Sequence, residues 1–348
     1  MTQKSNFRQD LDCAVHCTKL NHPCLGFTSN SCNIIDNFSS FVIATFAKPE
    51  NRIFIPADSK NSIVTTPHFL IINAAGTDLI DLSLDIHVSP PVSYPLTQSW
   101  PGFFSPCAVY MQTQKKVVFR SLQEPQNLYQ WYLGDDKVTK MTSVVDDSRS
   151  SAICATSSRF ETLVVYSGMI IASAYIYKNG QNEVVPASRK AWNACGAMHP
   201  LDEDVLFIFG GTQVYNDEKK AFSYRISDGL TTMLADISSG EGFGLSCADF
   251  VKGNGEPAII LLGGQGSTLV KEYDIWTDSY IERQNIGNDV NLDVVLAFHG
   301  FIYHFERSTR VWKMDVDFKQ ANWELTNGSA FPLDLDILSD QFAIVPYF

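Results

Sequence analysis

The chain has 348 residues, 45% of them hydrophobic, and its 26 basic and 38 acidic residues give a net charge of −12. So large an apolar fraction supports a buried core and excludes a wholly disordered chain. The acidic balance repels phosphate backbones, so we expect no nucleic-acid partner.

The first 36 residues are predicted to form a separate cysteine-rich segment. Cys13 and Cys17 are spaced to share one face of a helical turn, and Cys24 and Cys32 follow them. The segment is polar and shows no signal peptide, so we expect either an intracellular protein or a chain that lacks its true start.

The run CAVHC from Cys13 to Cys17, followed by Cys24 and Cys32, resembles the second half of a PAN/apple module. The opening strand of that family is expected to be absent, which would make this copy truncated or degenerate. The resemblance implies the disulfides Cys13–Cys32 and Cys17–Cys24, and with them an extracellular location. A zinc site with two nearby histidines, and unpaired thiols, are the alternatives.

A short pattern recurs through residues 37–348: a small or apolar residue, Cys or an aliphatic, Ala or Gly, then alternating apolar positions. Its anchors at positions 64, 107, 154, 195, 247, 296 and 342 are spaced by 43, 47, 41, 52, 49 and 46 residues. A period in the forties is the length of one four-stranded propeller blade. We therefore predict an all-β propeller of seven blades, or of six if the copy at position 64 is not a repeat.

Each blade is predicted to hold a second apolar strand and then an aromatic strand that alternates with period two, as in residues 273–280. Two of the second strands end in a glycine pair, where we expect positive φ. This combination of a double glycine, a Tyr-Asp pair and a later aromatic resembles the kelch repeat, over about residues 40–348. The residues that carry the resemblance are Gly210, Gly211, Gly263, Gly264, Tyr273, Asp274, Tyr280, Trp312, Asp315 and Trp323.

The two ends of the repeat region are expected to pair and close the ring. The last anchor, near Phe342, is followed by too few residues to complete a blade. We predict that residues 41–44 and 52–55 pair with this C-terminal strand and cover both exposed edges.

Four cysteines occupy one equivalent position in successive repeats: Cys107, Cys154, Cys195 and Cys247. We predict that they are free thiols buried on the innermost strands, where a small apolar residue fits. Equivalent positions around a ring are too far apart to converge on one metal ion, so we expect no metal site from them.

No pattern of residues predicts a catalytic site, and we expect no cofactor. Copper-radical oxidases of the galactose-oxidase type share kelch-like rings, but no copy of their motif surrounds His299, Tyr303 or His304. The Asp-rich loops lack the spacing of a calcium loop.

We therefore predict a non-enzymatic binding or scaffold protein, extracellular and monomeric, that recognises protein or carbohydrate through its propeller loops. Two sequons, at Asn37 and Asn327, are candidate glycosylation sites in keeping with that location. The alternatives are a galactose-oxidase-like or other propeller enzyme, and an intracellular kelch-type adaptor. The longest mostly apolar stretch, residues 163–177, is too short for a membrane span.

Overall fold

A computed structural model defines the structure of the chain as strands and turns, without a helix among the described residues. The described residues are 3–5, 24–28, 31–34, 68–73, 78–83, 92–95, 108–120, 127–132, 135–143, 153–157, 159–166, 172–191, 193–211, 219–237, 244–264, 267–286, 294–298, 300–305, 311–317, 321–325 and 342–347. Side chains are described only within residues 108–325. In this part of the chain, no helix is long and apolar enough to cross a membrane.

The chain divides into two compact units, Met1–Thr65 and Thr66–Phe348. The first unit contains a three-stranded antiparallel sheet in the order β1-β3-β2, formed by β1 (Gln3–Ser5), β2 (Cys24–Thr28) and β3 (Ser31–Ile34). We expected no strand to open this segment, but β1 pairs along β3. The predicted boundary at residues 36 and 37 falls among the residues that are not described.

The second unit contains five blades, each a four-stranded antiparallel sheet built from consecutive strands. Blade 1 consists of β7 (Ala108–Met111), β8 (Lys116–Arg120), β9 (Asn127–Tyr132) and β10 (Thr139–Ser143). Blade 2 consists of β11 (Ile153–Ser157), β12 (Thr162–Tyr166), β13 (Ser173–Lys178) and β14 (Gln181–Pro186). Blade 3 consists of β15 (Cys195–His199), β16 (Asp202–Phe209), β17 (Ala221–Arg225) and β18 (Thr231–Met233).

The last two blades follow the same plan. Blade 4 consists of β19 (Leu245–Val251), β20 (Pro257–Gly263), β21 (Val270–Asp274) and β22 (Ser279–Glu282). Blade 5 consists of β23 (Val294–Phe298), β24 (Phe301–Phe305), β25 (Val311–Asp315) and β26 (Glu324–Leu325).

A composite closing sheet joins the two ends of the second unit. It has the order β27-β4-β5-β6 and is formed by β27 (Phe342–Tyr347), β4 (His68–Asn73), β5 (Asp78–Ser83) and β6 (Val92–Pro95). Its register places Phe342 opposite Asn73 and Tyr347 opposite His68. The C-terminal strand therefore does pair with an N-terminal strand, but with β4, and the predicted partner segments 41–44 and 52–55 lie outside the described residues.

The predicted count of seven blades is wrong, and so is the alternative of six. Among the described residues, five blades are made of consecutive strands. The count fails because the C-terminal anchor at position 342 does not start a blade of its own. The anchor at position 342 lies in β27, which supplies the first strand to β4, β5 and β6. One sheet was thus counted twice.

The first strands of the sheets surround the centre of the ring. Neighbouring first strands contact one another in the order β7, β11, β15, β19, β23 and β27, and β27 contacts β7 again. The second strands lie between neighbouring blades, so residues on both of their faces are buried, as throughout β12 and β20. Strands buried on two faces require nearly continuous apolar sequence, which explains the runs in these segments. The fourth strands are mostly exposed.

The hydrophobic core is divided among the seams between blades. Val164 and Ile176 of blade 2 pack with Leu206 and Ile208 of blade 3. The seam between blades 3 and 4 is rich in aromatic rings, and it buries Phe207, Phe209 and Tyr273. Each fully buried side chain of this size contributes about 1.5–3 kcal/mol. Apolar packing between neighbouring blades therefore stabilises the ring, and it holds in place the turns that join the strands.

Candidate interaction face

Turns that join first to second strands and third to fourth strands lie at the same end of each blade, because the strands of a meander alternate in direction. We call this side of the ring the hairpin face. Its described turns include residues 112–115, 159–161, 200–201, 252–256, 179–180, 226–230 and 275–278.

The inner turns of the hairpin face are hydrogen-bonded from blade to blade. The Thr113 backbone N–H of blade 1 donates to Glu161 Oε1 of blade 2 at 2.6 Å, and the Thr113 hydroxyl donates to Oε2 at 2.5 Å. Arg159 of blade 2 then donates to the Pro200 carbonyl of blade 3 at 3.0 Å. Glu161 is buried in spite of its charge, and hydrogen bonds to both carboxylate oxygens offset the cost of that burial.

The outer turn of blade 3 is held by a carboxylate from the start of the second strand, β16. Asp204 accepts hydrogen bonds from the Ser227 backbone N–H at 2.8 Å and from the Ser227 hydroxyl at 2.6 Å. At the same turn, the Ile226 N–H donates to the Asp204 carbonyl. The Asp-rich segment 202–204 therefore helps to stabilise the outer turn of blade 3.

The outer turn of blade 4 is fixed by two aspartates. Asp274 Oδ1 accepts hydrogen bonds from the backbone N–H groups of Trp276 and Thr277, at 2.9 and 3.1 Å. Asp278 Oδ1 accepts from the Tyr273 hydroxyl at 2.8 Å and from the Ala235 N–H of blade 3 at 2.9 Å. The predicted continuous strand 273–280 is thus wrong: it is two strands, β21 and β22, around a turn that Asp274 stabilises.

Large apolar side chains are exposed on this fixed surface. Trp276 is 64% exposed at the tip of the blade 4 turn, and Leu230 is 58% exposed in the corresponding turn of blade 3. Leu201 and Tyr132 are also exposed, at the inner turn of blade 3 and at the end of β9. Sequence reasoning missed Trp276 by placing it on a half-buried strand; the Asp residues around it were the signal for a turn.

Aromatic side chains connect each of blades 3 to 5 to the blade before it. The hydroxyl of Tyr224 donates to the Pro186 carbonyl at 3.1 Å, and the hydroxyl of Tyr280 donates to the Ala235 carbonyl at 2.9 Å. Trp323 Nε1 donates in the same way to the carbonyl of Gln284 at 3.1 Å. The three acceptors, residues 186, 235 and 284, succeed one another every 49 residues. The repeat in the sequence therefore corresponds to a hydrogen bond that recurs between successive blades.

The residues that carried the kelch resemblance lie at turns and seams. Gly210, Gly211, Gly263 and Gly264 all have positive φ, the conformation expected where the second strand ends. Tyr273 is buried against Phe207 and Phe209 of blade 3. Trp312 and Trp323 pack against the core cluster between blades 4 and 5.

The prediction of four free thiols is wrong. Cys195 and Cys247 form a disulfide with a Cα–Cα distance of 5.8 Å, and Cys154 is disulfide-bonded as well. Cys195 lies on β15 and Cys247 on β19, the first strands of two neighbouring blades. Equivalent positions around a whole ring are far apart, but those on adjacent first strands approach within the distance that a disulfide requires.

A buried ionic cluster lies at the seam between blades 4 and 5. Glu272 is fully buried and contacts Lys252 Nζ at 2.6 Å and Arg283 Nε at 2.6 Å. Arg283 also donates to the Val316 carbonyl of blade 5 at 2.9 Å. Burial acts to lower the pKa of Lys252, but Glu272 and then Glu256 outweigh it, so the pKa is raised. The cluster neutralises its own charges, as buried ionic groups require.

The residues considered for metal chemistry do not converge. His304 is buried with its ring edge-on to Trp323, and Tyr303 is buried beside it on β24. Among the residues whose positions are described, no group of three or more His, Cys, Asp or Glu could hold a metal ion.

Several predicted site residues fall outside the described part of the chain. They are His299, the cysteines Cys13, Cys17 and Cys107, and the sequon residues Asn37 and Asn327. Cys24 begins β2 and Cys32 lies within β3. The proposed pairings of these four N-terminal cysteines stay predictions.

No protein-family model matches the chain, and no curated protein matches it either.

Proposed function

We propose that this protein is a non-enzymatic binding or scaffold protein that acts outside the cell and recognises protein or carbohydrate through its propeller turns. The hairpin face carries the proposal: a hydrogen bond between blades 3 and 4 and another within blade 3 fix its turns, yet Trp276 and Leu230 are exposed. A large aromatic side chain on a preorganised turn loses little conformational entropy on contact, which makes it an effective binding anchor.

The extracellular location is supported by the disulfide between Cys195 and Cys247, because such bonds persist in oxidising compartments. The bonded state of Cys154 agrees with it. In keeping with an extracellular location, we propose that Asn37 and Asn327, in the two sequons, are sites of glycosylation.

We also propose that the ring is of the kelch type and that residues 1–36 form a PAN/apple-like segment. The kelch-type assignment is supported by the positive φ of the glycine pairs and by the contacts of Tyr280 and Trp323 with the preceding blades. The PAN/apple-like assignment depends on the spacing of Cys13, Cys17, Cys24 and Cys32.

The proposed function is tested by binding of the purified full chain to an array of glycans and to a panel of purified extracellular-matrix proteins. Probes that bind are then titrated with Trp276→Ala, which removes the most exposed aromatic side chain of the face. We expect at least a tenfold loss of affinity, about 1.4 kcal/mol, because this residue has the exposure and rigidity of an anchor.

The matched control is Met233→Ala, which removes an apolar side chain that is 42% exposed on the outer strand β18. Its affinity should equal that of the unmodified chain. Failure of every probe to bind, or equal affinities for Trp276→Ala and Met233→Ala, would reject the hairpin face as the binding surface.

A further inference from the structure

Cys154 is disulfide-bonded on β11, the first strand of blade 2. Its side chain packs against the core cluster that contains Val109 and Met111 of β7, the first strand of blade 1. The bond of Cys154 therefore lies beside the seam between blades 1 and 2.

The seam between blades 3 and 4 shows how a bond at this position is made. Cys195 and Ala197 of β15 face one core cluster together with Leu245 and Cys247 of β19. On each strand the two residues are two positions apart, as alternation of side chains requires. The disulfide thus joins residues that face each other from neighbouring first strands.

The same alternation can be applied to the seam between blades 1 and 2. Val109 and Met111 face the cluster against which Cys154 packs. Residue 107 lies just outside the described residues, and we expect the alternation of β7, continued by one position, to put it on the same side of the chain as Val109. Residue 107 is a cysteine, it immediately precedes β7, and it occupies the repeat position of Cys195.

We propose that Cys107 is the disulfide partner of Cys154. The protein then carries two disulfides of one design, each joining the first strands of two successive blades. One joins blade 1 to blade 2 and the other joins blade 3 to blade 4. They are covalent cross-links between repeats, added to the packing and the hydrogen bonds that join the same blades.

Formation of the bond is a two-electron oxidation. The Cys107 and Cys154 thiols lose two protons and two electrons as the S–S bond forms. The electrons pass by thiol–disulfide exchange to a protein or small-molecule disulfide, which is reduced to two thiols. The assignment does not depend on the ligand of the hairpin face.

The test is peptide mapping of the full chain, alkylated without reductant and digested with trypsin. The cysteines fall in separate peptides: 61–115 holds Cys107, 150–159 holds Cys154, 191–219 holds Cys195 and 226–252 holds Cys247. We expect peptide 150–159 to be linked to 61–115, and peptide 191–219 to be linked to 226–252. Linkage of peptide 150–159 to 9–19 or 20–52, which hold the four N-terminal cysteines, would overturn the proposal, as would an alkylated Cys154.

Single substitutions give an independent readout. Cys154→Ser should release one thiol, which alkylation locates at Cys107, and Cys107→Ser should release one at Cys154. The matched control is Cys195→Ser, which should release only Cys247. A released thiol at any other cysteine in Cys154→Ser would contradict the assignment, and ligand binding by the same samples is scored separately.

Discussion

Cys195 and Cys247 are 52 residues apart in the chain, yet their Cα atoms lie 5.8 Å apart, on the first strands of two successive blades. The separation of 52 residues reflects the length of one repeat. The short Cα–Cα distance reflects the contact between adjacent first strands. A disulfide here closes a loop that contains about one blade of the ring. It opposes separation of blades 3 and 4 at their innermost point.

Replacing both cysteines, as in Cys195→Ser with Cys247→Ser, should lower the free energy of unfolding by about 4 kcal/mol. The estimate follows from chain entropy. Without the cross-link that closes a loop of this size, the unfolded chain gains conformational entropy, so unfolding becomes more favourable. Urea unfolding of the double variant and of the unmodified chain, followed by tryptophan fluorescence, measures the difference. Reduction of the unmodified chain should reproduce at least this loss, and equal stability of the two chains would contradict the prediction.

Tyr280→Phe should lower the free energy of unfolding by about 1 kcal/mol. The change removes only the hydroxyl that donates to the Ala235 carbonyl of blade 3, and it leaves the ring in place. Chemical denaturation measures the loss. The matched control is Tyr132→Phe, at a ring that is 41% exposed, and it should unfold like the unmodified chain. Equal effects of the two substitutions would show that the contact with Ala235 contributes nothing.

The strand plan of each blade could be predicted from the sequence because it depends on local pattern. Second strands such as β20 are continuous apolar runs, since both faces are buried. The turn at Trp276 could also have been predicted: Asp274 and Asp278 flank it, and aspartate favours the first position of a turn. The aromatic alternation on either side concealed that signal.

Cysteine pairing and the blade count could not be predicted in this way, because both depend on contacts between distant segments. Nothing near Cys195 in the sequence indicates which neighbouring first strand approaches it. Likewise, the position of the anchor at residue 342 depends on the pairing of β27 with β4, which places that anchor in one sheet with residues 68–73. The exposure of Trp276 on the hairpin face depends on packing between blades in the same way.

Glu272→Gln should lower the free energy of unfolding by about 3–5 kcal/mol, because it leaves buried Arg283 without its anion, while Lys252 keeps only the longer contact with Glu256. The substitution keeps the shape of the side chain, so a cavity does not contribute. Thermal and urea unfolding measure the loss. As a control, Glu324→Gln removes an exposed pair with Lys313 at 3.7 Å, and it should cost less than about 1 kcal/mol. A loss as small for Glu272→Gln would contradict the assignment of the cluster to seam stability.

Asp249→Asn should change how stability depends on pH. Burial on β19 raises the pKa of Asp249 from 3.8 to about 7, against the weaker opposing effects of a backbone hydrogen bond and of Arg159. Because the folded chain keeps this proton at pH values where the unfolded chain has lost it, stability falls as pH rises from about 4 to 7 and then levels off. Asparagine cannot ionise, so the variant should gain stability relative to the unmodified chain across that range, by about 1.4 kcal/mol for each unit of the pKa shift at most. Urea unfolding at pH 5, 6, 7 and 8 measures the difference, with Asp135→Asn, at an exposed side chain, as the matched control substitution. A constant difference between Asp249→Asn and the unmodified chain at all four pH values would show that Asp249 is ionised throughout.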